Sequence, residues 1–244
     1  MSPDHVHHPR RPTSAEITPP APPGRPEIVV AMLALTPAAS VVVLFGPLGL
    51  DPVVYGLIVA AWSGLAGLVG FAAAALVRIR SPSAFSVRRT TLRWMLIGVA
   101  AGAVALVLKG LLNYAVIALT GLDTDPQGMY YDAAGGGVLP LIPTILFLAV
   151  LTPMGEELLF RGVLANALLR YGPVVGLLGS SLVFALFHGV NIVLPSALVV
   201  GIAAAEMMRR SGSIWPAVAV HVVNNLALPL LVLLTGTAGP GTAG

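Results

Sequence analysis

Three ionisable side chains stand together in an apolar stretch, Gly155-Glu156-Glu157-Leu158-Leu159-Phe160-Arg161. A charge inside a lipid-embedded helix costs at least a few kcal/mol and needs a partner or a task. Glu157 and Arg161 are four residues apart with the acid first, the favourable order for an ion pair on one helical face, and are read as a structural pair. Glu156 points about 100° away and has no partner on its own helix. A second apolar stretch supplies Phe184-Ala185-Leu186-Phe187-His188, and a third supplies His221-Val222-Val223-Asn224-Asn225. His221 and Asn225 are four apart and share a face. Phe184 reads as core packing at the edge of the site. Asn224 reads as a hydrogen-bonding contact to another helix.

One carboxylate, two imidazoles and a carboxamide can hydrolyse an amide. Glu156 in an apolar cavity is a competent general base for water. His188 can orient that water or pass its proton. His221 and Asn225 can donate hydrogen bonds to the oxyanion that forms at the carbonyl. Alternatively, Glu156, His188 and His221 could hold zinc, which would acidify the water instead. The sequence leaves both mechanisms open.

The elements that must carry these groups are membrane helices. The chain is 57% hydrophobic and 9% charged, against roughly 25% charged residues in soluble domains, so it cannot cover a water-facing surface. The apolar runs are about 20 residues long and continuous, as membrane-spanning helices require. They lack the period-two alternation of barrel strands. The fold class is therefore all-α, a polytopic transmembrane bundle of about seven spans. The spans are expected over 28–46, 53–77, 94–120, 138–170, 173–189, 195–208 and 214–235. Residues 1–27, with eight prolines, are expected to be a disordered cytoplasmic tail whose His5, His7 and His8 need no metal, and residues 236–244 a flexible tail. Residues 28–137 form an N-terminal group of helices with a basic loop, and 138–235 the catalytic core.

Arg10, Arg11 and Arg25, the run Arg78 to Arg93, then Arg170, Arg209 and Arg210 alternate along the chain with loops holding Asp51, Asp123, Asp125 and Asp132. This one-sided pattern predicts an N-inside, C-outside, multi-pass protein of the cell membrane. It also explains the basic pI without nucleic acid. Glu156 and His188 each lie sixteen residues from Gly172 in the Tyr171-Gly172-Pro173 turn. That places both roughly 24 Å along an antiparallel hairpin, at one level. The absence of cysteine excludes disulfides, thiolate metal ligands and a cysteine nucleophile. Lys109, inside the third span with Asn113 four residues on, either snorkels outward, pairs with a carboxylate, or meets substrate. Glu206 with Arg209 and Arg210 reads as an interfacial ion-pair cluster.

Glu156-Glu157-x-x-x-Arg161, Phe184-x-x-x-His188 and His221-x-x-x-Asn225, in that order on successive apolar helices, resemble the three motifs of the CPBP family. That family comprises intramembrane CAAX prenyl proteases of the Rce1 type and Abi bacteriocin-processing proteins. The resemblance covers about 138–235. It implies Glu156 as the catalytic glutamate, His188 as its helper in activating water, and His221 and Asn225 as the oxyanion hole. It implies Glu157 and Arg161 as braces, a peptide or lipid-modified peptide as substrate, and a glutamate-dependent mechanism in place of the metal once assigned to the family. Two other functions fit the same residues. A proton-coupled transporter also uses buried Glu and His, but no internal repeat supports it. A non-catalytic immunity or scaffold protein would not need Glu156.

Overall fold

The computed structural model describes residues 21–40, 44–79, 81–121 and 126–236. The expectations for His5, His7, His8, Arg10, Arg11, Arg80, Asp123, Asp125 and the tail beyond residue 236 lie outside them. All the regular structure among the described residues is helical. Helix α1 spans Arg25–Ala39, α2 Pro52–Val77, α3 Leu92–Thr120 and α4 Gly128–Gly135. One continuous helix, α5, covers Val138–Tyr171, and a short apolar helix, α6, covers Val175–Phe187. Helices α7, Val193–Ser211, and α8, Trp215–Thr235, complete the bundle.

Among the described residues, α2, α3, α5 and α8 are long and apolar enough to cross a membrane. The other three expected spans correspond to shorter or more polar helices. The described part of α1 has 15 residues. Helix α6 is short, and α7 ends in Glu206, Arg209 and Arg210. The 121–137 segment, expected to be an acidic loop, contains α4. Its Tyr130, Ala133 and Ala134 recur at helical spacing, and the two alanines are buried.

The start signals are local. Asp51 accepts from the Val53 and Val54 amides, with Pro52 in the first turn of α2, a side-chain cap ahead of a preset φ. Thr91 does the same for Trp94 at the start of α3. Helix α5 changes pitch along its length, widening to π turns over Ile145–Leu151 and again over Leu158–Ala165. Interior prolines remove a backbone donor and crowd the preceding turn. Pro143 and Pro153 flank the first wide stretch. Glu156 and Glu157 stand on the α-helical stretch between the two, Thr152–Glu157.

Among the described residues, two large apolar cores and a smaller one of Ala134, Leu141 and Val232 hold the bundle. Ala31 and Leu35 of α1, Ala66 and Ala74 of α2, and Leu159 and Val163 of α5 pack with Phe184 of α6. Ala105 of α3, Val200, Ala204 and Met208 of α7, and Ala217 and Val220 of α8 form the other. The outer face of α3 stays apolar: Leu96, Val107, Leu111 and Leu119 are exposed. That is the surface expected toward lipid tails.

One end of the bundle gathers the arginine-rich segments. Arg78 Nε and Nη2 grip Glu27 at 2.9 and 3.0 Å, and Arg170 donates to the Pro23 carbonyl. Ser213 donates to the Arg88 carbonyl at 2.7 Å. The start of α1 is thereby tied to the ends of α2 and α5, and the start of α8 to the segment ahead of α3, with Glu27 fully buried under Arg78.

Candidate active site

Helix α5 carries Glu156 and Glu157 on adjacent bearings, and their surroundings diverge. Glu157 is fully buried beside the equally buried Arg161, with Oε1 3.0 Å from Arg161 Nη1. The same oxygen accepts from Nδ1 of His221 at 2.9 Å, so the expected i,i+4 pair also anchors a histidine from α8. Arg161 in turn donates to the Gly201 carbonyl of α7 at 3.1 Å. Its guanidinium lies 4.4 Å from the centre of the Phe184 ring, within cation–π range.

Phe184 is thus a hub rather than filler. Its ring meets His188 at 4.7 Å and His221 at 5.6 Å, both edge-on. The Phe184 carbonyl lies 2.9 Å from His188 Nδ1. A carbonyl only accepts, so Nδ1 carries a hydrogen and Nε2 is the ring nitrogen left for another partner. His188 closes α6, and Gly189 follows at φ +86°. Asn191 fixes that turn: it donates to the His188 carbonyl at 2.7 Å and accepts from the Val193 amide at 2.8 Å at the head of α7.

Glu156 faces a cavity of about 300 Å³ shared with His188, His221 and Asn225. The structure therefore brings to one cavity the four polar residues singled out from sequence, from three helices. Glu156 Oε1 accepts from Ser63 of α2 at 2.9 Å. Oε2 has no hydrogen-bond partner among the described residues and stands 3.8 Å from His221 Nε2. That separation is too long for a direct hydrogen bond, and Oε2 is itself buried. Asn225 Nδ2 donates one hydrogen to the Leu148 carbonyl at 2.9 Å, which fixes the amide and leaves its second N–H. Asn224 points away, to the Gly102 carbonyl of α3 at 3.1 Å.

Among the described residues, no three His, Cys, Asp or Glu side chains are grouped to hold a metal ion. Nδ1 of His188 is engaged with the Phe184 carbonyl and Nδ1 of His221 with Glu157, which leaves Nε2 as the nitrogen each ring would offer to a metal.

Residues that the sequence did not single out complete the walls. Ser63 hides in a span rich in small residues. Its only local signal is Gly64 and Gly67 beside it, which let a second helix approach. Tyr130 of α4 roofs the cavity. Burial first, and then the charges of Glu156 and Tyr55, push its phenol above the ordinary range, so it faces the cavity as a neutral donor. Lys109 borders a second pocket of about 30 Å³ that shares His188, His221 and Asn225 with the first.

No curated protein and no solved structure gives a match to this chain. A family model does. The helices carrying Glu156, His188, His221 and Asn225 lie within a match over residues 138–227 to the Rce1-like family, type II CAAX prenyl endopeptidase, the same resemblance that the three motifs carry.

Proposed function

We propose that this chain is a multi-pass intramembrane endopeptidase that cleaves a peptide, or a lipid-modified peptide, with a water activated by Glu156. The observation that carries the reading is the meeting of Glu156, His188, His221 and Asn225 at one cavity. Glu156 Oε2 takes the proton of the attacking water while its oxygen bonds to the scissile carbonyl carbon. Nε2 of His188 accepts the water's other hydrogen and orients it. The developing oxyanion receives the free N–H of Asn225 and, when His221 is protonated against Glu157, its Nε2–H. As the C–N bond breaks, the proton held by Glu156 passes to the leaving amine. The products are a carboxylic acid and a free amine, and the glutamate is restored. Glu157 and Arg161 hold His221 without touching substrate.

In the cell membrane this reading carries seven spans with the N-terminus inside. The gathering of Arg78, Arg88, Arg170 and the α7 arginines toward one end supports that orientation. A quenched fluorogenic peptide ending in a farnesylated CAAX sequence tests the function on purified protein in detergent. Glu156→Ala and His188→Ala are expected to abolish cleavage while folding is retained. Full activity in either variant refutes the mechanism, and rescue of the cellular phenotype by Glu156→Ala would favour a scaffold role.

A further inference from the structure

The family match begins at residue 138, yet the hydrogen bond on the catalytic carboxylate comes from residue 63. Ser63 sits in the interior of α2, where a serine ordinarily bonds back to the carbonyl four residues earlier. Here its hydroxyl instead crosses to Glu156 Oε1 at 2.9 Å. The crossing is built for that reach. A Cβ on Gly67 would lie 2.3 Å from the Gly155 carbonyl carbon, and one on Gly155 would lie 2.0 Å from the Gly64 carbonyl oxygen. Neither helix can carry a side chain there, so the two backbones touch on the turn that holds Glu156. A second tie, Thr152 to the Ala60 carbonyl at 3.0 Å, fixes the register one turn away.

We propose that Ser63 is a positioning residue for Glu156, an inference that rests on the endopeptidase reading above. By occupying Oε1 it fixes the rotation of the carboxylate and leaves Oε2, beside His221 Nε2, as the oxygen that takes the proton from water. A carboxylate free to turn would divide its time between productive and idle orientations, and preorganisation of this kind acts on turnover rather than on substrate affinity.

Two measurements test it. On the farnesylated CAAX peptide, Ser63→Ala is expected to lower kcat roughly 10- to 100-fold, as for loss of a hydrogen bond to a charged group. KM should stay within about twofold, and Ser63→Thr, which keeps the hydroxyl, should restore most of the rate. An unchanged kcat, or a loss confined to KM, overturns the proposal. The second measurement needs no turnover. The chain has no cysteine, so Ser63→Cys carries a single thiol whose alkylation by iodoacetamide can be timed. A thiol beside a carboxylate ionises reluctantly. Adding Glu156→Gln should therefore speed alkylation by ~10-fold or more, and equal rates with and without that change would overturn the contact. If the unsubstituted chain leaves the peptide intact, the CAAX substrate reading falls while the thiol rates still decide the role of Ser63.

Discussion

The two flanks of α5 treat adjacent glutamates in opposite ways. On one flank, Glu157 is wholly buried and its Oε1 serves both Arg161 and His221. On the other, Glu156 keeps part of its surface open to a cavity and has one oxygen committed to Ser63. A charge enclosed with its partners cannot exchange protons with a substrate; a charge at a cavity wall can. Identical side chains one position apart thus divide into an enclosed ion-pair partner and a carboxylate at a cavity wall, and the division is made by what the neighbouring helices present. Helices α6, α7 and α8 bring Phe184, the Gly201 carbonyl and His221 to the closed side. Helices α2 and α4 bring Ser63 and Tyr130 to the open side.

The largest expected effect attacks the closed flank. Glu157→Ala leaves the Arg161 guanidinium buried without its countercharge, at a cost of about 3–5 kcal/mol, and frees His221. Thermal unfolding in detergent should show the loss, and cleavage should fall with it. Glu156→Gln should do the reverse. Hydrolysis should drop roughly 10²- to 10⁴-fold, as when a general base is removed, while the melting temperature stays put; a large drop in stability would mean that the two flanks are not distinct. Gly67→Ala forces α2 away from α5 and should cost about 1–3 kcal/mol by overpacking. It should also lower kcat by more than a comparable strain elsewhere, because it separates Ser63 from Glu156. The smallest effect belongs to an ion pair outside both flanks. Arg209, bonded to Glu206 at 2.7 Å on an accessible stretch of α7, should be replaceable by alanine with no change in melting or cleavage, since exposed pairs of this kind contribute little.

What the sequence disclosed follows from what makes a residue conspicuous. Glu156, His188, His221 and Asn225 stand out because ionisable and amide groups are rare in apolar helices, and their spacing put them on shared faces. The length of α5 and its turn at Gly172 were legible from the unbroken apolar run and the Tyr-Gly-Pro sequence. Ser63 was not, because a serine among alanines and glycines is ordinary composition and acquires meaning only from the helix laid against it. The tie from Glu157 to His221 was hidden for a similar reason: an intrahelical partner four residues on already accounted for the charge. Helix α4 was masked by its glycines and by Asp132, although Tyr130, Ala133 and Ala134 held its period. The wide turns of α5 have no sequence mark beyond the prolines near them.

The bare contact between Gly67 and Gly155 bears on how this protein could be divided. Excising 138–235 as a minimal unit would uncover α5 at Gly155, where no side chain of its own fills the crossing and lipid chains would have to. It would also strip Glu156 of its hydroxyl neighbour. A foreign host could replace α2 only with a helix equally naked over the same turns and bearing a hydroxyl one residue before the glycine that stands at Gly64. The surroundings of Glu156 therefore cannot be moved as a cassette, and domain exchange in this protein has to carry α2 and α5 together.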